Sequence, residues 1–240
     1  PRAGKAKLRF KARGAGGVVD AVEVSRDVVT PTMMESAALH GDTEGAAGES
    51  LGEVTALRDD RHATAYELLK AAPLHRDLRA VGRLDRETSG LLLWTTEGPL
   101  LHRMTHPRYA VPRVYQAALS RPWTSPPPGF TLDDGHVPEI AELRELGAEE
   151  RHPGLEVPDG TQQLASITIV GGKFHEVRRI FAALGSEVLG LCRVAFGPLV
   201  LPRELKAGEY QALDLHALFS GMHPRPLAGA DVDEDGFAEG

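Results

Sequence analysis

Apolar positions in the central part of the chain recur with the spacing of strands in some segments and of helices in others. Residues 164–170 alternate between apolar and polar side chains, which predicts a strand with one buried face. Residues 174–184 carry apolar side chains three and four positions apart, which predicts an amphipathic helix, and Gly185 is typical of a helix stop. The same reasoning predicts helices at residues 64–70 and 98–106 and strands at residues 90–96, 114–119 and 187–196.

Strands and helices alternate irregularly along this part of the chain, and several connections are short. This order predicts an α+β domain with a mixed, mainly antiparallel central sheet flanked by helices. We place that domain at residues 61–223.

The segments outside this domain have a different composition. Residues 31–60 and 224–240 are rich in small and acidic residues, and their apolar content is too low to offset the entropy of ordering. We therefore expect an acidic loop or insertion at residues 31–60 and an acidic disordered tail at residues 224–240. Residues 1–30 form a basic N-terminal segment, which we interpret as contributing an edge strand to the domain.

The net charge of −7 alone argues against a nucleic-acid partner, but the charge is unevenly distributed. Residues 226–240 contribute −5 and residues 31–60 contribute −6, so the remainder of the chain carries +4. Residues 1–13 and 101–121 contain lysine or arginine and no acidic residue. A basic body of this kind is able to bind phosphate backbones, although ordinary solvated charge explains it equally well.

Two further features restrict the class of protein. There is no apolar run of 18 residues, so we expect no membrane-spanning helix. The single cysteine, Cys192, has no partner for an internal disulfide, which favours a reducing cytoplasm. We interpret Cys192 as a small buried residue rather than a nucleophile.

The first candidate for chemistry is the segment GRLDRETSGLLL at residues 82–93. Its polar residues directly precede an apolar strand, so Asp85 is predicted to lie on a loop at the mouth of a sheet, exposed and firmly held. Taken alone, a turn in which the aspartate bonds its own backbone explains the pattern as well.

The second candidate is the segment THPRYAVPRVYQ at residues 105–116, which leads into the predicted strand at residues 114–119. Arg113 and Tyr115 share one face of this strand, because side chains alternate along it. The alternative for Tyr115 is a core aromatic residue whose hydroxyl is bonded at the rim.

The third candidate is the segment GGKFHEVRRIFAALG at residues 171–185, which contains the predicted helix at residues 174–184. At helical spacing Arg178 falls between Phe174 and Phe181, inside the apolar stripe, whereas Arg179 points away and is free to meet phosphate. A buried guanidinium needs a partner, because an unpaired buried charge is very costly. Asp85 is a candidate for that partner.

These segments together resemble the RsuA-type family of ribosomal RNA pseudouridine synthases. The resemblance rests on residues 82–98, 106–116 and 171–201 and extends over roughly residues 61–215. It implies the pseudouridine synthase fold with an active-site cleft, and it makes residues 61–223 the catalytic domain.

The resemblance also assigns roles to residues. The catalytic aspartate of the family falls on Asp85, its active-site tyrosine on Tyr115, and the arginine that pairs with the aspartate on Arg178. Arg113 takes the place of a family lysine, and Glu176 that of a family glutamine, where its negative charge is expected near the RNA. The residues expected to contact RNA are Arg83, Arg103, Arg108, Arg113, Lys173, His175 and Arg179.

The activity implied is conversion of one uridine to pseudouridine in ribosomal RNA, with small-subunit (16S) RNA favoured as the substrate. Alternatives are a large-subunit enzyme and a non-catalytic RNA-binding protein on the same fold. The expected partner is ribosomal RNA or a ribosomal subunit precursor, bound by a cytoplasmic monomer with no membrane association. Because the reaction conserves atoms and redox state, no cofactor is expected, and no metal-ligand spacing occurs among the ten histidines.

Two other motifs are weaker indications. The segment GESLG at residues 48–52 matches G-x-S-x-G of hydrolases, but no strand pattern precedes it. The segment DVDEDG at residues 231–236 begins like a calcium-binding loop, but the sequence lacks the closing glutamate.

Overall fold

Residues 4–13, 19–28, 33–36, 69, 75–219 and 221–225 are described by the computed structural model. Twelve strands lie in these ranges: β1 (Gly4–Arg13), β2 (Val19–Val28), β3 (Met33–Ser36), β4 (Arg79–Val81), β5 (Thr88–Gly90), β6 (Leu92–Thr95), β7 (Arg113–Leu119), β8 (Ile140–Glu145), β9 (Gln163–Ile169), β10 (Val188–Phe196), β11 (Leu199–Val200) and β12 (Tyr210–Leu213). The α-helices in the same ranges are α1 (Gly98–Thr105), α2 (Glu176–Ala183) and α3 (Leu215–Phe219). The predicted α+β class is confirmed.

The larger sheet positions the site. Its strands run in the order β11-β10-β7-β9-β8, with every neighbouring pair antiparallel. Strand β5 also pairs with β10, in parallel, so that Thr88 lies opposite Leu191 and Gly90 opposite Arg193. The sheet is therefore mixed and mainly antiparallel, as predicted.

Gly90 allows β5 to approach β10 closely. Its φ is +110°, and a Cβ atom at this position would lie 2.3 Å from the Arg193 carbonyl oxygen. Only glycine adopts this φ without strain, and only glycine has no Cβ atom to collide with that carbonyl oxygen. The approach brings the loop before β5 to the edge of the larger sheet.

A second sheet has the strand order β12-β3-β6-β4 and is antiparallel throughout. Its strand β3 (Met33–Ser36) lies within residues 31–60, for which the composition predicts a loop or insertion. β3 is hydrogen-bonded to β12 on one side and to β6 on the other. Both partners are distant in the sequence, so the composition around β3 gives no sign of them. The remainder of residues 31–60 lies outside the described residues.

The basic N-terminal segment forms a hairpin. Strands β1 and β2 pair with each other from Gly4–Val28 to Arg13–Val19 as a separate two-stranded sheet. Among the described residues this pairing is local, which differs from the edge strand in the main domain that the sequence suggested. Within the predicted tail, Arg225 pairs with Glu139 at 2.7 Å. Residues 226–240 lie outside the described residues.

Helix α2 packs against the larger sheet through Val177, Ile180 and Phe181, which are all at most 5% exposed. It begins two residues later than predicted, because His175 adopts the left-handed conformation with φ +48°. Its end is as predicted: Gly185 follows with φ +87°. The described residues contain no helix that is both apolar and long enough to cross a membrane.

Cys192 lies in the core between the larger sheet and helices α1 and α3. Burial raises the pKa of its thiol to about 11, so the thiol remains protonated at neutral pH. The interpretation of Cys192 as a buried structural residue agrees with this environment.

Candidate active site

Asp85 lies on the loop between β4 and β5. The loop closes with a turn in which the Thr88 N–H donates to the Asp85 carbonyl oxygen at 2.8 Å. Leu84 is buried beside it, whereas the Asp85 side chain is 27% exposed. The carboxylate therefore faces an accessible space while its backbone is anchored on both sides.

Two arginines hold the backbone of this loop. Arg193 donates from Nη1 to the Arg83 carbonyl oxygen at 3.2 Å and from Nε to the Leu91 carbonyl oxygen at 2.8 Å. Arg178 donates from Nη2 to the Glu87 carbonyl oxygen at 2.7 Å. The loop is thus fixed on both sides of Asp85, and the bond to Leu91 holds the backbone just past the end of β5.

The space in front of Asp85 is a cleft of about 310 Å³, which is within the usual size range of small-ligand pockets. Residues of all three candidate segments line it. The first segment contributes Gly82, Arg83, Leu84, Asp85 and Thr88, and the second contributes Thr105, Arg113 and Tyr115. The third contributes Gly172, Lys173, Phe174, His175, Glu176, Val177 and Arg178. Leu191 and Arg193 of β10 and Ile169 of β9 complete the lining. Segments far apart in sequence therefore converge on one concave site.

Arg178 has a different partner from the one predicted. Its Nη1 lies 3.5 Å from Glu87 Oε2 and donates to the Val188 carbonyl oxygen at 2.9 Å. Within the part of the chain that the structure describes, no ion pair joins Arg178 to Asp85, so the prediction of that direct contact is wrong. The reason is geometric: the side chain, which is 18% exposed, reaches the loop at Glu87, two residues beyond Asp85.

His175 is the residue whose imidazole faces Asp85. Its Nε2 lies 3.6 Å from Asp85 Oδ1, a distance that forms an ion pair when the imidazole is protonated. The left-handed backbone that directs His175 towards the loop costs on the order of 1–3 kcal/mol, and such strain is common at functional sites. Its ring stacks on Phe174 with centroids 3.8 Å apart.

Phe174 contradicts the helix prediction that placed it in the apolar stripe. It precedes α2 and is 64% exposed at the cleft. The periodicity that suggested burial ends at Glu176, where the helix begins. An exposed aromatic ring beside a polar cleft is suited to stacking on a nucleic-acid base.

Arg113 and Tyr115 lie side by side on the cleft face of β7. The Arg113 guanidinium donates to the Gly171 carbonyl oxygen and lies 5.1 Å from the centre of the Phe196 ring. Burial lowers the pKa of Arg113, and the neighbouring positive charge of Arg193 acts in the same direction. Tyr115 is 9% exposed and forms part of the inner wall.

Glu176 lines the cleft but is almost fully buried. It is 3% exposed, and its carboxylate accepts the Lys173 N–H at 3.0 Å and lies 2.8 Å from His136 Nε2. A Cβ atom at Gly171 would lie 2.4 Å from the same carboxylate, so glycine leaves the space that it occupies. The negative charge of Glu176 therefore lies at the cleft, as expected, but its carboxylate is engaged in these internal contacts.

The residues expected to contact RNA fall into two groups. Four of them line the cleft: Arg83, Arg113, Lys173 and His175. Arg103 and Arg108 lie outside it, in α1 and in the short 3-10 helix that follows. Arg179 also lies outside, and its guanidinium is bound by both Asp133 and Asp134, which raise its pKa.

Arg193 and Thr88 are cleft residues that the sequence interpretation missed. Arg193 lies in a run of apolar residues on β10 and is 2% exposed, so a lone arginine in a buried strand was the available signal. Thr88 carries no comparable signal, because hydroxyl residues are common where a loop enters a strand. Within the described residues, no group of three or more His, Cys, Asp or Glu side chains is arranged to hold a metal ion.

Comparison with known proteins adds to this geometry. The profile of the family described as RNA pseudouridylate synthase matches residues 46–183. The ribosomal small subunit pseudouridine synthase A of Vibrio cholerae is 35% identical over 73% of this chain and 72% of its own length. The ribosomal large subunit pseudouridine synthase B of Yersinia pestis is 36% identical over 64% of this chain and 46% of its own length.

A crystal structure of a pseudouridylate synthase is 32% identical, with a TM-score of 0.48, over 66% of this chain and 65% of that one. The family profile covers more than half of the chain and includes both Asp85 and Tyr115. The chain therefore belongs to the RNA pseudouridylate synthase family.

Proposed function

We propose that this protein converts a uridine of small-subunit ribosomal RNA to pseudouridine, with Asp85 as the catalytic carboxylate. The observation that supports this most directly is the convergence of Asp85, Tyr115 and several cationic side chains on one cleft. The identity of the relatives supports the choice of ribosomal RNA, and those from Vibrio cholerae and Escherichia coli are small-subunit enzymes by name.

In the reaction, the bond between C1′ of the ribose and N1 of the base breaks, and its electron pair stays on uracil. The base turns, C5 bonds to C1′, C5 loses its proton and N1 gains one, so atoms and electrons balance without a cofactor. A carboxylate beside C1′ serves this chemistry by attacking C1′, by stabilising its positive charge, or by assisting proton removal from C2′.

The other residues act around Asp85 in this proposal. Tyr115 stacks on the base and relays a proton, and His175 sets the charge beside the carboxylate. Arg178 acts indirectly, because it positions the Asp85 loop through the backbone and side chain of Glu87.

The target uridine must leave its stack to reach Asp85, which costs a few kcal/mol. Exposed cations at the mouth, such as Arg83 and Lys173, hold the backbone phosphates of the displaced nucleotide. Arg103 and Arg108 extend this positive surface away from the cleft. We propose a cytoplasmic monomer as the active form, because one chain supplies all of the residues named.

Mapping of pseudouridines in total RNA from cells with and without the gene tests this function. We expect one position in small-subunit ribosomal RNA to lose its modification and to regain it when the purified protein is added to unmodified precursor subunits. Loss of a large-subunit position would instead identify a large-subunit enzyme, the runner-up suggested by the Yersinia pestis relative. RNA binding with no position lost would indicate a non-catalytic protein.

A further inference from the structure

Two buried polar groups in the wall of the cleft have no hydrogen-bond partner within the protein. These are the Thr88 hydroxyl and Nη2 of Arg193. Buried polar groups are nearly always satisfied, so each exception calls for an explanation. That both line the same cleft suggests that a molecule bound in the cleft supplies the missing partner.

The two groups belong to neighbouring strands. Thr88 on β5 pairs with Leu191 on β10, and Arg193 follows two residues later on the same face of β10. Thr88 and Arg193 are therefore diagonal neighbours on one sheet surface. That surface lies directly behind the turn that presents Asp85.

The charge of Arg193 is also unbalanced. The guanidinium is almost fully buried, donates to two backbone carbonyl oxygens and lies 5.5 Å from the centre of the Phe196 ring. Among the described residues, no carboxylate forms an ion pair with it. A buried cation without a counter-ion is costly, and an anionic ligand in the cleft would offset that cost.

We infer that Thr88 and Arg193 form a subsite that binds the uracil base of the target nucleotide. Arg193 Nη2 donates to a carbonyl oxygen of the base, and the Thr88 hydroxyl bonds the adjoining N–H or carbonyl group. When the C1′–N1 bond breaks, the base carries negative charge, and the guanidinium stabilises it. This inference rests on the proposed function and deepens it, since it names the residues that receive the detached base.

A base fits this subsite better than a backbone phosphate does. Thr88 and Arg193 are at most 5% exposed, whereas Arg83 and Lys173 at the mouth are exposed. Phosphates remain on the outer path of the RNA, and only an extruded base reaches an inner wall.

Replacement of Thr88 gives a clean test, because its hydroxyl has no partner to lose in the free protein. Thr88→Val removes the hydroxyl and retains the shape, so the melting temperature should stay the same or rise. Thr88→Ser is the matched control, since it retains the hydroxyl and loses only a methyl group. Arg193→Lys retains the charge but loses the forked donors that hold the loop.

The measurements are the single-turnover rate of pseudouridine formation on unmodified precursor subunits with saturating enzyme, and the RNA dissociation constant. We expect Thr88→Val to lower the rate about tenfold and Thr88→Ser to lose clearly less than Thr88→Val, because the hydroxyl is retained. Both variants should bind RNA with similar affinity. Arg193→Lys should lower the rate further at similar affinity.

Three results would overturn the inference. An unchanged rate for Thr88→Val would show that water, not substrate, satisfies the hydroxyl. A larger loss for Thr88→Ser than for Thr88→Val would indicate a packing role. Weaker RNA binding with an unchanged rate at saturation would place a phosphate at the subsite. Absence of pseudouridine formation by the wild-type protein would instead contradict the proposed function itself.

Discussion

The imidazole of His175 lies 3.6 Å from the carboxylate of Asp85 and is held there by a left-handed backbone that ordinary residues avoid. Within the described part of the chain, this contact, rather than the one expected from Arg178, is the ion-pair contact that the proposed catalytic residue makes. Both side chains are partly exposed, at 41% and 27%, so solvent weakens their attraction.

Replacement of His175 by asparagine tests the importance of this contact. Asparagine tolerates the left-handed conformation, so the loop should keep its path while the imidazole is lost. We expect the rate of pseudouridine formation to fall roughly two- to fivefold, as suits a partly exposed ion pair, with little change in melting temperature. A variant that is as fast as the wild-type protein would show that His175 does not assist Asp85.

The buried position of Glu176 leads to a second prediction. Glu176→Gln retains an acceptor for the Lys173 N–H and a polar partner for His136, so RNA affinity and the melting temperature should change little. Glu176→Ala leaves both partners unsatisfied and should lower the free energy of unfolding by on the order of 1–3 kcal/mol. Filter-binding and urea unfolding measure the two effects. Markedly tighter RNA binding by Glu176→Gln would revive the idea of a repulsive surface charge.

The two aspartates on Arg179 predict that this arginine contributes less to RNA binding than Lys173 does. Asp133 and Asp134 already neutralise its charge, whereas Lys173 is exposed at the cleft. Lys173→Ala should weaken binding at low salt, and the loss should fade as salt rises, because phosphate contacts release counterions. Arg179→Ala should weaken binding less at every salt concentration. The opposite order would mean that RNA displaces the aspartates.

The sequence patterns reveal the elements and the convergence of the site better than they reveal its contacts. Periodicity places β7, β9, β10 and the end of α2 within one or two residues, because burial of one face dominates in these elements. The partner of Arg178 depends instead on where its long side chain reaches the loop between β4 and β5, and sequence periodicity does not determine that point. Strand β3 depends on neighbours distant in the sequence, so local composition suggested a loop.

His152 provides a prediction about pH. Burial lowers the pKa of its imidazole, and the nearby charge of Arg203 contributes in the same direction. The folded state therefore resists protonation, so the stability contributed by neutral His152 is present above its unfolded-state pKa of about 6.5 and is lost as pH falls below it. His152→Asn does not titrate there and is able to accept the Gly154 N–H, which His152 Nδ1 accepts at 3.0 Å.

Urea unfolding at pH 7.5 and 5.5 measures this effect. The wild-type protein should lose more free energy of unfolding between the two pH values than His152→Asn does. Equal losses in the two proteins would show that His152 is protonated as readily in the folded state as in the unfolded chain.

The central claim is that the charge of Asp85 performs the chemistry at the cleft. Asp85→Asn retains the shape of the side chain and removes its charge, and the loop around it is held by backbone contacts that do not involve the carboxylate. The most direct measurement is the single-turnover yield of pseudouridine on unmodified precursor subunits, taken together with RNA affinity. We predict no detectable pseudouridine from Asp85→Asn and RNA affinity within a few fold of wild type. Turnover near the wild-type rate would contradict the assignment of Asp85 as the catalytic residue.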